Sequence, residues 1–161
     1  MKLIAREEEE FVFALTAQEK GLMLTLLALF PQMPANHHRL TRAANLPEAA
    51  ANQRLLEESL QAQKAEDLEW VNTTFQGPPR FEPFEKGFLL RVKRSEMERL
   101  LQIFNEVRVG YWLAWNAPDP EEKKKLAPTR LTAPFIQRME LAGVFEMILL
   151  KALRSQPGSG A

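Results

Sequence analysis

The sequence predicts a mainly α fold, a single-domain helical bundle with a small three-stranded antiparallel β element. Three observations support this. Apolar residues recur at helical spacing over four long stretches, three short β-rich runs alternate with them, and Ser/Thr-x-x-Glu caps open two of the helices. The chain has 161 residues, of which 45% are hydrophobic and 26% charged. That is enough to bury one core, and residues 1–155 are expected to form one domain with 156–161 as a flexible tail.

Lys2–Arg6 and Phe11–Leu15 read as two short strands, with Glu7–Glu10 at the bend between them. Adjacent carboxylates repel one another, so that run is expected in solvent as a polar turn. Thr16-Ala17-Gln18-Glu19 matches a capping box, and the helix to Phe30 is greasy on nearly every side, as a helix at the centre would be. Pro31 and Pro34 end it. A short helix is expected over Asn36–Ala44, and a long one from Pro47 to Phe75, Pro47 being tolerated in a first turn.

Residues 76–86 hold three prolines and read as a loop. Phe88–Lys93 is the third strand. Ser95-Glu96-Met97-Glu98 reads as a second capping box, opening a helix to about Asn116. This strand, cap and helix echo Phe13–Glu19, which reads as shared strand-to-helix grammar rather than duplication. Residues 117–131 read as a proline-rich linker, and Thr132 caps a last helix running to Arg154 with Pro134 in its first turn.

Three charged residues fall inside apolar helical stripes. Lys64, with Asp67, interrupts the face of Ala49, Leu56, Leu60, Val71 and Phe75. Arg108, with Asn105 at its edge, sits among Met97, Leu100, Leu101, Phe104, Tyr111 and Trp115. Glu146 sits among Phe135, Met139, Ala142, Leu149 and Leu153. An unpaired buried charge is costly, so these groups must be paired or have chemistry to perform. As a structural cluster, Arg108 pairs with Glu146 and Lys64 with Asp67. As a ligand site, Lys64, Asp67, Asn105, Arg108 and Glu146 line a pocket for an acidic ligand or a peptide terminus. Ion pairs that fix helix register are common, and the structural reading is preferred.

No enzyme is expected. Cysteine is absent, which excludes thiol nucleophiles and cysteine-based metal centres. His37 and His38 are the two histidines, and adjacent helical residues point about 100° apart, so no metal site is expected there. No phosphate-cradling loop or Gly-x-Ser-x-Gly elbow occurs, and no cofactor is expected.

Lys+Arg and Asp+Glu number 21 each, so the chain lacks the basic excess of a dedicated nucleic-acid binder. A helix-turn-helix over residues 36–60 is nevertheless the alternative reading, with Phe88–Lys93 as a wing. Asn52, Gln53 and Arg54 would read bases there, although Glu48, Glu57 and Glu58 would repel phosphates. No segment is apolar for long enough to span a bilayer and no leader is visible, so a cytoplasmic protein without a membrane partner is expected. Trp112 and Leu113 lie outside the main stripe of their helix. They are expected to add exposed apolar surface for a homodimer.

Pro47-Glu48-Ala49-Ala50, then Arg54-Leu55, Leu60 and Lys64, resemble a bacterial family catalogued as domain of unknown function two-thousand-seventeen. So do Phe104-Asn105-Glu106-Val107-Arg108-Val109, against the family's Leu-Asn-Asp-Leu-Arg pattern, and Glu146–Leu153, against its Gln-Glu-x-Leu-x-x-x-Leu helix. The resemblance covers most of the chain. It departs at Asn36-His37-His38-Arg39, where members carry an acidic, tyrosine-containing loop, and in the long linker of residues 117–131. It implies no established activity. Because the family's genes often lie beside that of the Clp-protease adaptor, it implies a link to regulated proteolysis; a non-enzymatic interaction or scaffold role with a protein partner is the function expected of the chain.

Overall fold

The structure, a computed structural model, describes residues 1–33, 47–75, 80–115, 129–130 and 132–155. The short helix expected at Asn36–Ala44, the histidine pair, most of the linker and the tail lie outside the described residues. Four strands and four helices occur among them, in the order β1 (Lys2–Arg6), β2 (Glu10–Thr16), α1 (Ala17–Ala28), α2 (Pro47–Phe75), β3 (Phe81–Phe84), β4 (Gly87–Lys93), α3 (Arg94–Ala114) and α4 (Ala133–Arg154).

The sheet is antiparallel in the order β1-β2-β4-β3. It therefore has four strands, one more than the sequence reading, because β3 lies in the stretch read as loop. Pro83 explains the discrepancy. Proline cannot donate to a ladder and argues against a strand, but β3 is an edge strand where one side needs no donor. Its hairpin with β4 turns through Glu85-Lys86 without the usual Asn-Gly or Asp-Gly pair, and Glu85 takes a positive φ of 50°.

Side chains alternate across the sheet. Phe11, Phe13 and Leu15 of β2 stand opposite Val92, Leu90 and Phe88 of β4. Phe11, Phe13, Leu90 and Val92 have no exposed surface and meet the helices in the core. On the opposite face Arg91 lies between Glu10 at 3.2 Å and Glu82 at 3.5 Å.

Thr16 caps α1 as a full box: its hydroxyl accepts from the Glu19 N–H at 3.1 Å, and the Glu19 carboxylate accepts from the Thr16 N–H at 2.8 Å. The helix is not buried all round. Met23, Leu26 and Leu27 face the core, whereas Gly21, Thr25 and Ala28 are exposed. The small residues at i, i+4 and i+7 mark that outer stripe.

The second cap also differs from the sequence reading. Helix α3 starts at Arg94, with Lys93 rather than Ser95 at the cap position. Glu96 closes the turn by accepting from the Lys93 N–H at 2.8 Å, and it also pairs with Arg80. Lysine has no acceptor, so the side-chain half of a capping box is missing.

Helices α3 and α4 pack together along much of their length. Phe104 stacks on Phe145 with centroids 5.4 Å apart, and Tyr111 meets Phe135 at 5.9 Å. Arg6 of β1 donates to the Leu153 carbonyl at 3.3 Å, satisfying a terminal α4 acceptor. Trp112 and Leu113 are half-buried, and Trp112 packs against the core. They do not supply the exposed surface expected of them.

Candidate functional site

The buried face of α3 is rotated from the stripe read in the sequence. Ile103 and Val107 are fully buried, and Glu106 is buried beside them. This displaces Arg108 towards solvent, leaving 40% of its side chain exposed. The described charges then separate into two groups on opposite flanks of α3.

One group joins α2 to α3. Lys64 does not pair with Asp67. Its ammonium donates to the Met33 carbonyl at 2.6 Å and to Glu106 Oε1 at 3.2 Å. Asp67 is buried and pairs instead with Arg99 of α3, whose guanidinium also lies over the Trp70 ring. Residues 64 and 67 share one helix face and point at the same neighbour. Each therefore meets an opposite charge on α3 rather than the other.

Glu106 is the residue the sequence reading missed. Its Oε1 accepts from the Gln32 N–H at 2.9 Å, the Met33 N–H at 2.6 Å and Lys64. One carboxylate thus fastens the chain after α1, the middle of α2 and α3 to one another. Its Oε2 is sealed from solvent and has no partner among the described residues. A signal existed: Glu106 lies on the ridge between Ile103 and Gly110, three residues after one and four before the other.

Lys64, Asp67, Asn105 and Glu106 line a cleft of about 270 Å³ with Phe30 and Leu60. The cleft is mainly apolar with charged groups set in its walls, and the charges described there are already engaged. Lys64 and Asp67 have partners, and the unpaired Glu106 oxygen is inaccessible from the cleft. Asn105 faces both flanks, since its Oδ1 accepts from Arg108 Nη2 at 2.7 Å.

The second group joins α3 to α4. Arg108 Nε donates to Glu146 at 3.0 Å and 3.3 Å. Burial raises the Glu146 carboxyl above its ordinary value, and the charge and hydrogen bond of Arg108 only partly offset it. The five residues singled out in the sequence therefore form no single site. Asn105 connects a cleft on one side to an ion pair on the other.

No group of three or more metal-ligating side chains occurs among the described residues. No described helix is long and apolar enough to cross a membrane. Of the residues assigned to DNA reading, Asn52 and Arg54 are exposed, while Gln53 is half-buried and donates to Glu57 at 2.8 Å. Strand β4 lies inside the sheet between β2 and β3, so it is not a free wing.

The exposed feature that stands out is the outer face of α4. Its inner face buries Met139, Ala142, Phe145, Leu149 and Ala152. Opposite them Val144, Met147 and Leu150 are 46%, 47% and 42% exposed. Glu140 and Arg154 flank this stretch, are exposed, and make no ion pair with any described residue. No family model, curated protein or solved structure matches the chain.

Proposed function

We propose that the protein is a non-enzymatic interaction or scaffold protein that engages another protein through the outer face of α4. The carrying observation is the apolar run Val144, Met147 and Leu150, nearly half exposed on a helix whose opposite face is fully used in the core. The charged cleft supports the same reading from the other side. Its described cations and carboxylates are engaged in holding α2, α3 and the chain after α1 together.

Membership of the domain-of-unknown-function family, and with it a connection to regulated proteolysis, is proposed on the Pro-Glu-Ala-Ala, Phe-Asn-Glu-Val-Arg and Glu146–Leu153 motifs. A photo-crosslinking side chain at Val144 tests the reading in the cells that make the protein. It should trap a protein, and adding Met147→Glu should abolish the trapping. If no protein adduct forms at Val144, or if adducts form regardless of Met147→Glu, the α4 face is not the working surface.

A further inference from the structure

The charges along α4 specify what can lie against it. Residues 140, 144, 147, 151 and 154 alternate four- and three-residue steps, so they share one face of a helix. Met147 is the midpoint of this series. Glu140 lies seven residues before it and Arg154 seven residues after it, each about 10 Å along the axis. Val144 and Leu150 lie three residues to either side, one on each flank of the face.

We propose that the occupant of this face is a second copy of the chain, with the two α4 helices antiparallel about a two-fold axis beside Met147. This rests on the reading of α4 as the interaction surface and names its partner. A two-fold axis there brings Met147 against its own copy and Val144 level with Leu150 of the second copy. It also brings Glu140 level with Arg154 of the second copy, with Lys151 one turn nearer the centre. All three charged residues are exposed.

Both ends of the seam are then closed by opposite charges, because the axis generates the pair twice. A parallel arrangement would instead place Glu140 against Glu140 and Arg154 against Arg154, so the charges select orientation as well as partner. Three half-exposed apolar side chains cover less surface than a standard stable interface, which places the dissociation constant in roughly the micromolar range.

Sedimentation equilibrium on the full chain tests this. The wild type should rise from 18.5 kDa towards twice that mass as its concentration increases. Met147→Glu should remain at the single-chain mass while keeping the wild-type circular dichroism spectrum and melting temperature. Glu140→Arg alone and Arg154→Glu alone should each weaken association about tenfold, since each places like charges together at both ends. The double exchange should restore it to within about threefold of wild type.

A wild-type chain that stays at 18.5 kDa throughout overturns the proposal, as does a double exchange no better than the single ones. The two readings separate cleanly. A monomer in the centrifuge whose cellular crosslinks at Val144 still depend on Met147 excludes the second copy and keeps the interaction role. Loss of both removes the α4 reading altogether.

Discussion

Residues 1–75 and 80–155 each contain a hairpin, a helix that starts at its second strand, and a further long helix. The further helices are used differently. In the second half α4 lies along α3, and five of its residues, from Met139 to Ala152, are buried. In the first half none of residues 50–66 of α2 is buried, and Val71 and Phe75 supply its core contacts with Trp70 packed beside them. The charges follow that division. Lys64–Glu106 ties the two halves to each other, whereas Arg108–Glu146 lies within the second. What differs is how far each pair is withdrawn from water: the Lys64 and Glu106 side chains are 16% and 8% exposed, against 40% and 15% for Arg108 and Glu146.

Breaking the tie between the halves should have the largest effect. Glu106→Leu removes the acceptor from the Gln32 and Met33 N–H groups and from Lys64, and should cost about 3–5 kcal/mol in a urea titration. Adding Lys64→Met should recover only part of that loss, because the two backbone donors remain unmet. Full recovery would mean that the ion pair, and not the backbone contacts, holds this junction.

A second variant presses on the same junction without touching a charge. A methyl group at Gly110 would run into Gln32 Cβ and come within 3.2 Å of the Gln32 carbonyl carbon. Gly110→Ala should therefore destabilise by about 1–3 kcal/mol, although alanine is the better helix former. A gain in melting temperature would show that α3 and residues 30–33 are less closely packed than described.

Arg108→Met should cost about 1 kcal/mol or less, since its guanidinium is well exposed and screened by solvent. This is smaller than the sequence suggests, because a stripe drawn through Leu101 places Arg108 in the core. A double-mutant cycle with Glu146→Leu should give a coupling below about 1 kcal/mol, and a larger value would mean the pair is more buried than its exposure implies.

The smallest effect is one of pH. The folded Glu146 carboxyl keeps its proton above 4.5, where the unfolded chain has released it. Its contribution is therefore present below pH 4.5 and is lost as pH rises through the raised folded value. Comparing urea midpoints of wild type and Glu146→Gln between about pH 4 and about pH 7 should show a downward slope in the wild type that the variant lacks. A matching slope in both would assign it to other groups.

Much of the fold was legible in the sequence, and what escaped did so for physical reasons. The bounds of α2 follow from Pro47 at its start and Gly77-Pro78-Pro79 beyond its end, and Thr16 with Glu19 fixes the start of α1. Strand β3 was hidden because Pro83 is tolerated at an edge. The rotation of α3 was hidden because Leu101 and Ile103 are equally apolar, and periodicity cannot decide which of them a neighbouring helix covers. That single ambiguity moved Arg108 inward and concealed Glu106. It also left the partner of Lys64 unreadable, since a pairing across helices depends on packing and not on spacing within one helix.

The uneven anchoring of α2 has a consequence for how the molecule opens. A helix of 29 residues held at its carboxyl end cannot be protected uniformly. Amide hydrogens near Val71 and Phe75 exchange only when the core itself gives way. Those before Lys64 lie in a stretch where none of residues 50–63 is buried, and they should exchange through smaller, local openings. Protection along α2 therefore falls from its carboxyl to its amino end, and the step should come at Lys64, where Met33 and Glu106 fasten the helix to the rest of the protein.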